Sequence, residues 1–278
     1  MNRFAYILTV LLASIWSLNV FAASVDIETS AGDVRVHIPE NSPSECDAIL
    51  IGVGTAMSAF SYDTLSAKFN SYGYITVILD HQPGELTKTD ENRYKALAEE
   101  VKLNLLDWVS SSNCTSIEHW VMGGHSAGGQ AAQNAVGNNP GLADAVFSID
   151  PYDISGAASV DVPALYWGFD FTTCFVDKDK AAKAAYYKSN AQRAFVKVKR
   201  KYSFGPCGFS PKYFHCSFCD GHCPACTNCQ TTPGHFFDDV GSSVKKFMDA
   251  ALYGNWSKTA LTFGSTTPIT LYVDSDQP

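Results

Sequence analysis

"HWVMGGHSAGGQAAQNAV", residues 119–136, begins as an apolar run of strand length and ends in small and apolar residues at helical spacing. Four glycines at 123, 124, 128 and 129 surround Ser126 at the junction. A buried strand that passes through a glycine-flanked serine into a helix predicts a tight bend, with Gly124 and Gly128 leaving room for it. Gly124-His125-Ser126-Ala127-Gly128 is also G-x-S-x-G in the strand-turn-helix setting its chemistry requires: an elbow lifts a serine hydroxyl above a sheet. The helix start contributes unpaired N–H groups that favour a developing anion. The bland alternative is a small residue at a tight turn.

The flanking sequence predicts the sheet that such an elbow needs. "VDIETSAGDVRVHIPE" reads as a hairpin turning at Ala31-Gly32, and "CDAILIGVG" (46–54) and "YITVILDH" (74–81) as strands buried on both faces. Tyr94, Leu97, Ala98, Val101, Leu105 and Trp108 mark a helix over 92–109. Further strands are expected at 143–150, 162–170 and 194–204, and a closing amphipathic helix around Val244, Phe247, Met248, Ala251 and Leu252. Strands alternating with helices imply an α/β fold, a mostly parallel central sheet with helices on both faces. Ligands of such sheets gather at the carboxyl ends of the strands.

The 278 residues are 46% hydrophobic and 17% charged, enough for one sizeable core and one domain, 23–278. Residues 1–22, with Arg3 ahead of an apolar run and V-F-A at its end, have the layout of a signal peptide cut after Ala22. A retained membrane anchor is the competing reading, weakened by Ser14, Ser17 and Asn19; no later segment is expected to span a bilayer. Export implies a secreted or periplasmic protein.

The net charge is −8, so counterion release gives no hold on a phosphate backbone, and nucleic acid is not expected as a partner. "KVKRK" (197–201) reads as the solvated side of an edge strand. Nine cysteines in an exported chain point to disulfides, with one left over, and Asn113 and Asn255 head glycosylation sequons.

A serine hydroxyl needs a base to take its proton and a carboxylate to orient that base. In this fold class the chain order is serine, acid, histidine. His215, His222 and His235 follow the serine. His215 and His222 sit among cysteines, so His235, in a loop expected just before the closing helix, is the predicted base. Asp150 and Asp170, both at predicted strand ends, are the candidate acids.

"GHSAGG", then "SIDPYDISG" and later "GHFFDD", resemble the chlorophyllases and plasma-type platelet-activating-factor acetylhydrolases of the α/β-hydrolase superfamily. The resemblance spans most of 46–155 and returns near 235. It implies an α/β-hydrolase fold and, through the "DP" aspartate, a Ser126–Asp150–His235 triad. "IGVGTAMSAF" then looks like the oxyanion loop, with Val53-Gly54 where the family has His-Gly, and the N–H groups of Thr55 and Ala127 are the expected donors. In that fold the strands after Cys46 and Cys114 are parallel neighbours, which implies that these cysteines pair.

Residues 205–230 form a cysteine-rich insert, "CGFSPKYFHCSFCDGHCPACTNC" at its centre. Its thiols and histidines could build a zinc site, but behind a signal peptide a disulfide-stapled loop is expected, with no metal. Lying near the active-site mouth, it offers Phe204, Phe209, Tyr213, Phe214 and Phe218 as an apolar lid or acyl wall, or else simply anchors the loop of His235.

The expected function is a cofactor-independent serine esterase acting on a small-molecule or lipid-like carboxylic ester. An acyltransferase would use the same residues. A catalytically silent binding protein using the insert, or a metal-dependent hydrolase, fits less well. Chlorophyll ester cleavage is permitted by the motifs and not demanded.

Overall fold

The computed structural model of the chain describes residues 23–80, 90–152, 157–171, 179–205, 208–211, 215–218, 220, 234–276 and 278, with backbone alone at 202–205, 208–211, 216 and 234. The expected leader 1–22 lies outside these residues, as do His222, Tyr213, Phe214, Cys174, Cys207, Cys219, Cys223, Cys226 and Cys229.

Among the described residues, nine strands form one sheet in the order β1-β2-β4-β3-β5-β6-β7-β8-β11. They are β1 (Ala23–Glu28), β2 (Asp33–Ile38), β3 (Glu45–Gly52), β4 (Ile75–Leu79), β5 (Ser116–His125), β6 (Ala145–Ile149), β7 (Ala164–Phe169), β8 (Arg193–Val198) and β11 (Ile269–Val273). The six strands β4-β3-β5-β6-β7-β8 run parallel. The hairpin β1-β2 and the edge strand β11 join antiparallel. A separate two-stranded ribbon pairs β9 (Tyr202–Gly205) with β10 (Gly208–Pro211).

The continuous apolar runs of β3 and β4 follow from burial on both faces. Successive strand side chains point to opposite sides. Ile49 and Ile51 join one core, with α1 (Asp63–Asn70) and α5 (Gly234–Leu252) packed over it. Ala48 and Leu50 join the other, under α2 (Glu91–Trp108), α3 (Ala127–Asn138) and α4 (Lys180–Lys188). Asp90 caps α2 by accepting the Arg93 N–H at 2.9 Å, and Tyr94, Leu97, Ala98, Val101 and Leu105 bury the expected face. Cys46 and Cys114 form a disulfide at the base of β3 and β5, with a Cα separation of 5.9 Å.

Three readings need correction. The run 194–204 is not one strand: after Val198 the Arg200 N–H turns to the Asp170 carboxylate at 2.9 Å and the Lys199 N–H to the Pro268 carbonyl, so the chain leaves the ladder before β9. β8 is not an edge, because β11 covers it and Lys197 pairs with Asp179 at 3.2 Å. The helix carrying Val244 does not close the fold; a short α6 (Lys258–Leu261) and β11 follow it. Among the described residues no helix is long and apolar enough to cross a membrane.

Candidate active site

Ser126 stands where β5 gives way to α3, with φ 55° and ψ −124°, a conformation that a side chain adopts only under constraint. Its backbone is held from both sides: the N–H donates to the Ile149 carbonyl at 2.9 Å, and the carbonyl accepts the Gln130 N–H at 3.2 Å. The constraint is close packing. A methyl group on Gly124 would stand 2.6 Å from the Gly128 carbonyl carbon and 2.7 Å from the Gly52 oxygen, and one on Gly128 would collide with the Gly52 carbonyl. Only glycines let α3 settle this tightly onto the ends of β3 and β5. Beneath them, the Tyr94 hydroxyl from α2 accepts the Gly123 N–H at 3.1 Å and faces the Leu50 and Gly123 carbonyls at 3.1 and 2.9 Å, tying both strands together.

Two neighbouring strand ends add the other parts. After β3, Val53-Gly54 turns toward the serine: a methyl on Gly54 would lie 3.2 Å from the Ser126 Cβ. Thr55 follows, and Ala127 opens the first turn of α3, where N–H groups have no intrahelical acceptor. After β6, Asp150 is 1% exposed and also has a left-handed backbone, φ 46°. Ala56, Ser126 and Asp150 are three of the four non-glycine residues with positive φ among the described residues, so backbone strain concentrates at this end of the sheet.

Asp150 Oδ2 meets His215 Nδ1 at 2.6 Å. The imidazole on Asp150 is therefore His215, and not the expected His235, which lies half-buried in the first turn of α5 rather than in a loop. The physical reason is in the insert, where the single 3-10 turn His215–Phe218 is fastened to the domain. The Phe218 ring is fully buried against Phe236, Phe169 and Trp167, at centroid distances of 5.0, 5.6 and 6.0 Å. Two residues on, the Asp220 N–H donates to the Ser61 carbonyl and its carboxylate accepts the Thr64 N–H, both at 2.6 Å. Of the two expected roles of Phe218, lid or acyl wall and anchor, the buried ring fits the anchor, and what it holds is the turn of His215 rather than a loop of His235. Asp170, the other candidate acid, is exposed and bound to the Arg200 N–H.

His125 fills the space beside this turn. Its Nε2 donates to the His215 carbonyl at 3.0 Å, its Nδ1 lies 3.0 Å from the Tyr62 hydroxyl, and that hydroxyl accepts the Gly54 N–H at 2.9 Å. Burial, and after it the neighbouring His215, holds the His125 imidazole well below its ordinary pKa. Burial likewise lowers His215 to about 3, so its imidazole rests neutral. Burial, followed by the charge of Asp179, pushes the Asp150 carboxyl up. Sequence reading missed His125 and Tyr62 and set His215 aside. No signal singled it out: Phe218, which anchors its turn, is one of several aromatic residues in the insert.

A cleft of about 140 Å³ adjoins Ala127, lined also by Asp90, Glu91, Gln130, Ala131, Asn134 and Tyr152. No protein-family model matches the chain, and no curated protein matches it.

Proposed function

We propose that this chain is an exported serine ester hydrolase of the α/β-hydrolase fold, with Ser126 as nucleophile, His215 as base and Asp150 as the acid that orients it. One observation carries the reading: a strained serine at a strand-to-helix elbow and a buried carboxylate–imidazole pair, at 2.6 Å, both at the carboxyl end of one parallel sheet. The chain order serine, acid, histidine, and an oxyanion loop after the third strand, support the same fold.

The proposed chemistry runs in two stages. Asp150 receives the Nδ1–H of His215, which leaves the ring's lone pair on Nε2, the nitrogen that takes the serine proton in this mechanism. His215 removes that proton as Ser126 Oγ attacks the ester carbonyl carbon. The N–H groups of Thr55 and Ala127 receive the oxyanion, a contribution of about 3–4 kcal/mol per donor in comparable sites. Collapse expels the alcohol, which takes the proton from His215 and leaves an acyl-serine. Water activated by the same imidazole then releases the acid.

The test is hydrolysis of p-nitrophenyl esters of increasing length by wild type and Ser126→Ala, with mass spectrometry of the peptide labelled by a fluorophosphonate. Expected are turnover of at least one ester by wild type, loss of turnover in Ser126→Ala, and the label on Ser126. Unchanged turnover in Ser126→Ala sinks the reading.

A further inference from the structure

We infer that His125 is a positioning residue that locks the base to the oxyanion loop, through the hydrogen-bond chain Gly54–Tyr62–His125–His215. The inference rests on the proposed esterase reading.

Every direction in this chain is determined. A backbone N–H can only donate, so Gly54 donates to the Tyr62 oxygen at 2.9 Å. A carbonyl can only accept, so His125 Nε2 carries the hydrogen it gives to His215 at 3.0 Å. A neutral ring protonated at Nε2 has a bare Nδ1, so the Tyr62 O–H donates to it at 3.0 Å. The bonds run one way, from the loop beside the serine to the backbone of the residue bearing the base. Both His125 and Tyr62 are fully buried, at 1% and 0% exposure, where such bonds are strong and costly to break.

The placement gives the chain its purpose. His215 lies on a single 3-10 turn, outside the central sheet and outside the helices that cover it among the described residues. Asp150 grips the imidazole, and His125 grips the carbonyl of the same residue, so side chain and backbone are fixed from two strand ends. Because His125 immediately precedes Ser126, nucleophile, base and oxyanion loop share one rigid frame. The His125 and His215 rings, tilted at 40° with 4.4 Å between centroids, are in contact and leave little freedom for the turn to slide.

The experiment separates the two ends of the imidazole. Glutamine places its amide near the position of Nε2 and keeps a donor for His215; asparagine reaches only to the position of Nδ1 and loses it. Wild type, His125→Gln, His125→Asn and Tyr62→Phe are assayed on p-nitrophenyl acetate, with kcat expressed per fluorophosphonate-titratable site. Absence of turnover in wild type, or its survival in Ser126→Ala, is a failure of the esterase reading and shows separately. With that established, His125→Asn is expected to lower kcat about 100-fold at nearly constant KM, the scale of a 1 Å misplacement. His125→Gln should recover to within about tenfold of wild type. Tyr62→Phe, which removes a single oxygen and serves if the His125 variants do not fold, should lose about tenfold in kcat. Wild-type kcat per site in His125→Asn, or in Tyr62→Phe where His125→Asn does not fold, overturns the inference. So does a glutamine variant as slow as the asparagine one, or a loss confined to the number of titratable sites.

Discussion

Phe218→Ala is the perturbation that best exposes how the insert delivers its histidine. The ring is 0% exposed and touches Phe236, Phe169, Trp167 and His125 at centroid distances of 5.0–6.0 Å. Truncating such a ring costs about 3–5 kcal/mol, combining lost transfer energy with the cavity left behind. At about 1.4 kcal/mol per tenfold, the docking constant of the 3-10 turn falls by two to more than three orders of magnitude. The remaining ties, at Asp150, His125 and Asp220, are polar and open to competition from water once the ring is gone. Two outcomes share this energy between them. If the turn docks independently, it releases locally, and kcat/KM on p-nitrophenyl acetate falls about 10²–10³-fold with little change in Tm. If it docks with the core, Tm drops by about 6–20 °C, at 2–4 °C per kcal/mol for a chain this size, and activity falls with it. Phe218→Leu, which keeps most of the apolar volume, should hold kcat/KM within about tenfold of wild type. Wild-type kcat/KM in Phe218→Ala, whatever its Tm, would refute the idea that this ring holds His215 in place.

Asp150→Asn should cost about 10⁴-fold in kcat, because the amide favours the wrong histidine tautomer, while Asp170→Asn, exposed and bound only to a backbone N–H, should stay within tenfold; equal losses would remove Asp150 from its role. Burial disfavours the His215 imidazolium, so its folded pKa lies below the ordinary 6.5 and kcat/KM should hold as pH falls through 6.5, declining only further to the acid side. An acid limb centred at pH 7 or above would contradict this. The same depression makes the unfolded chain bind a proton that the folded His215 refuses, so the stability that His215 contributes is full above about pH 6.5 and is lost as pH falls below it, while the raised Asp150 carboxyl acts in the opposite sense. Urea midpoints at pH 7.5 and pH 5, compared between wild type and His215→Gln, isolate that contribution: wild type should lose more stability between the two pH values, and an equal change in both would count against it. Replacing both Cys46 and Cys114 by alanine opens a loop of 68 residues and should cost about 4 kcal/mol in urea unfolding, with kcat per active site unchanged because the bridge lies at the opposite end of the strands.

The elbow and the parallel sheet were legible because their signals are local. Continuous apolar runs such as "AILIG" need two covered faces, and glycines at 124 and 128 answer contacts within one strand-turn-helix unit. Asp150 was legible as a carboxylate at a strand end. His215 was not, because its place depends on long-range packing: Phe218 seats against β7 and α5, and Asp220 binds the segment around Ser61 and Thr64. A cysteine-rich context argued for a staple, and the closing helix argued for His235, yet neither carried information about which imidazole meets Asp150. β11 escaped for a related reason. As a half-covered edge strand that returns to β8 after two helices, it lacks the continuous apolar run that marks the inner strands.

The central claim is that Ser126 is served by the imidazole from the insert. Steady-state hydrolysis of p-nitrophenyl acetate by His215→Ala and His235→Ala, compared at equal folded concentration, tests it directly. The account predicts a loss of about 10⁴-fold or more in kcat for His215→Ala and less than about tenfold for His235→Ala. Full activity in His215→Ala, with the loss falling on His235→Ala instead, would contradict it.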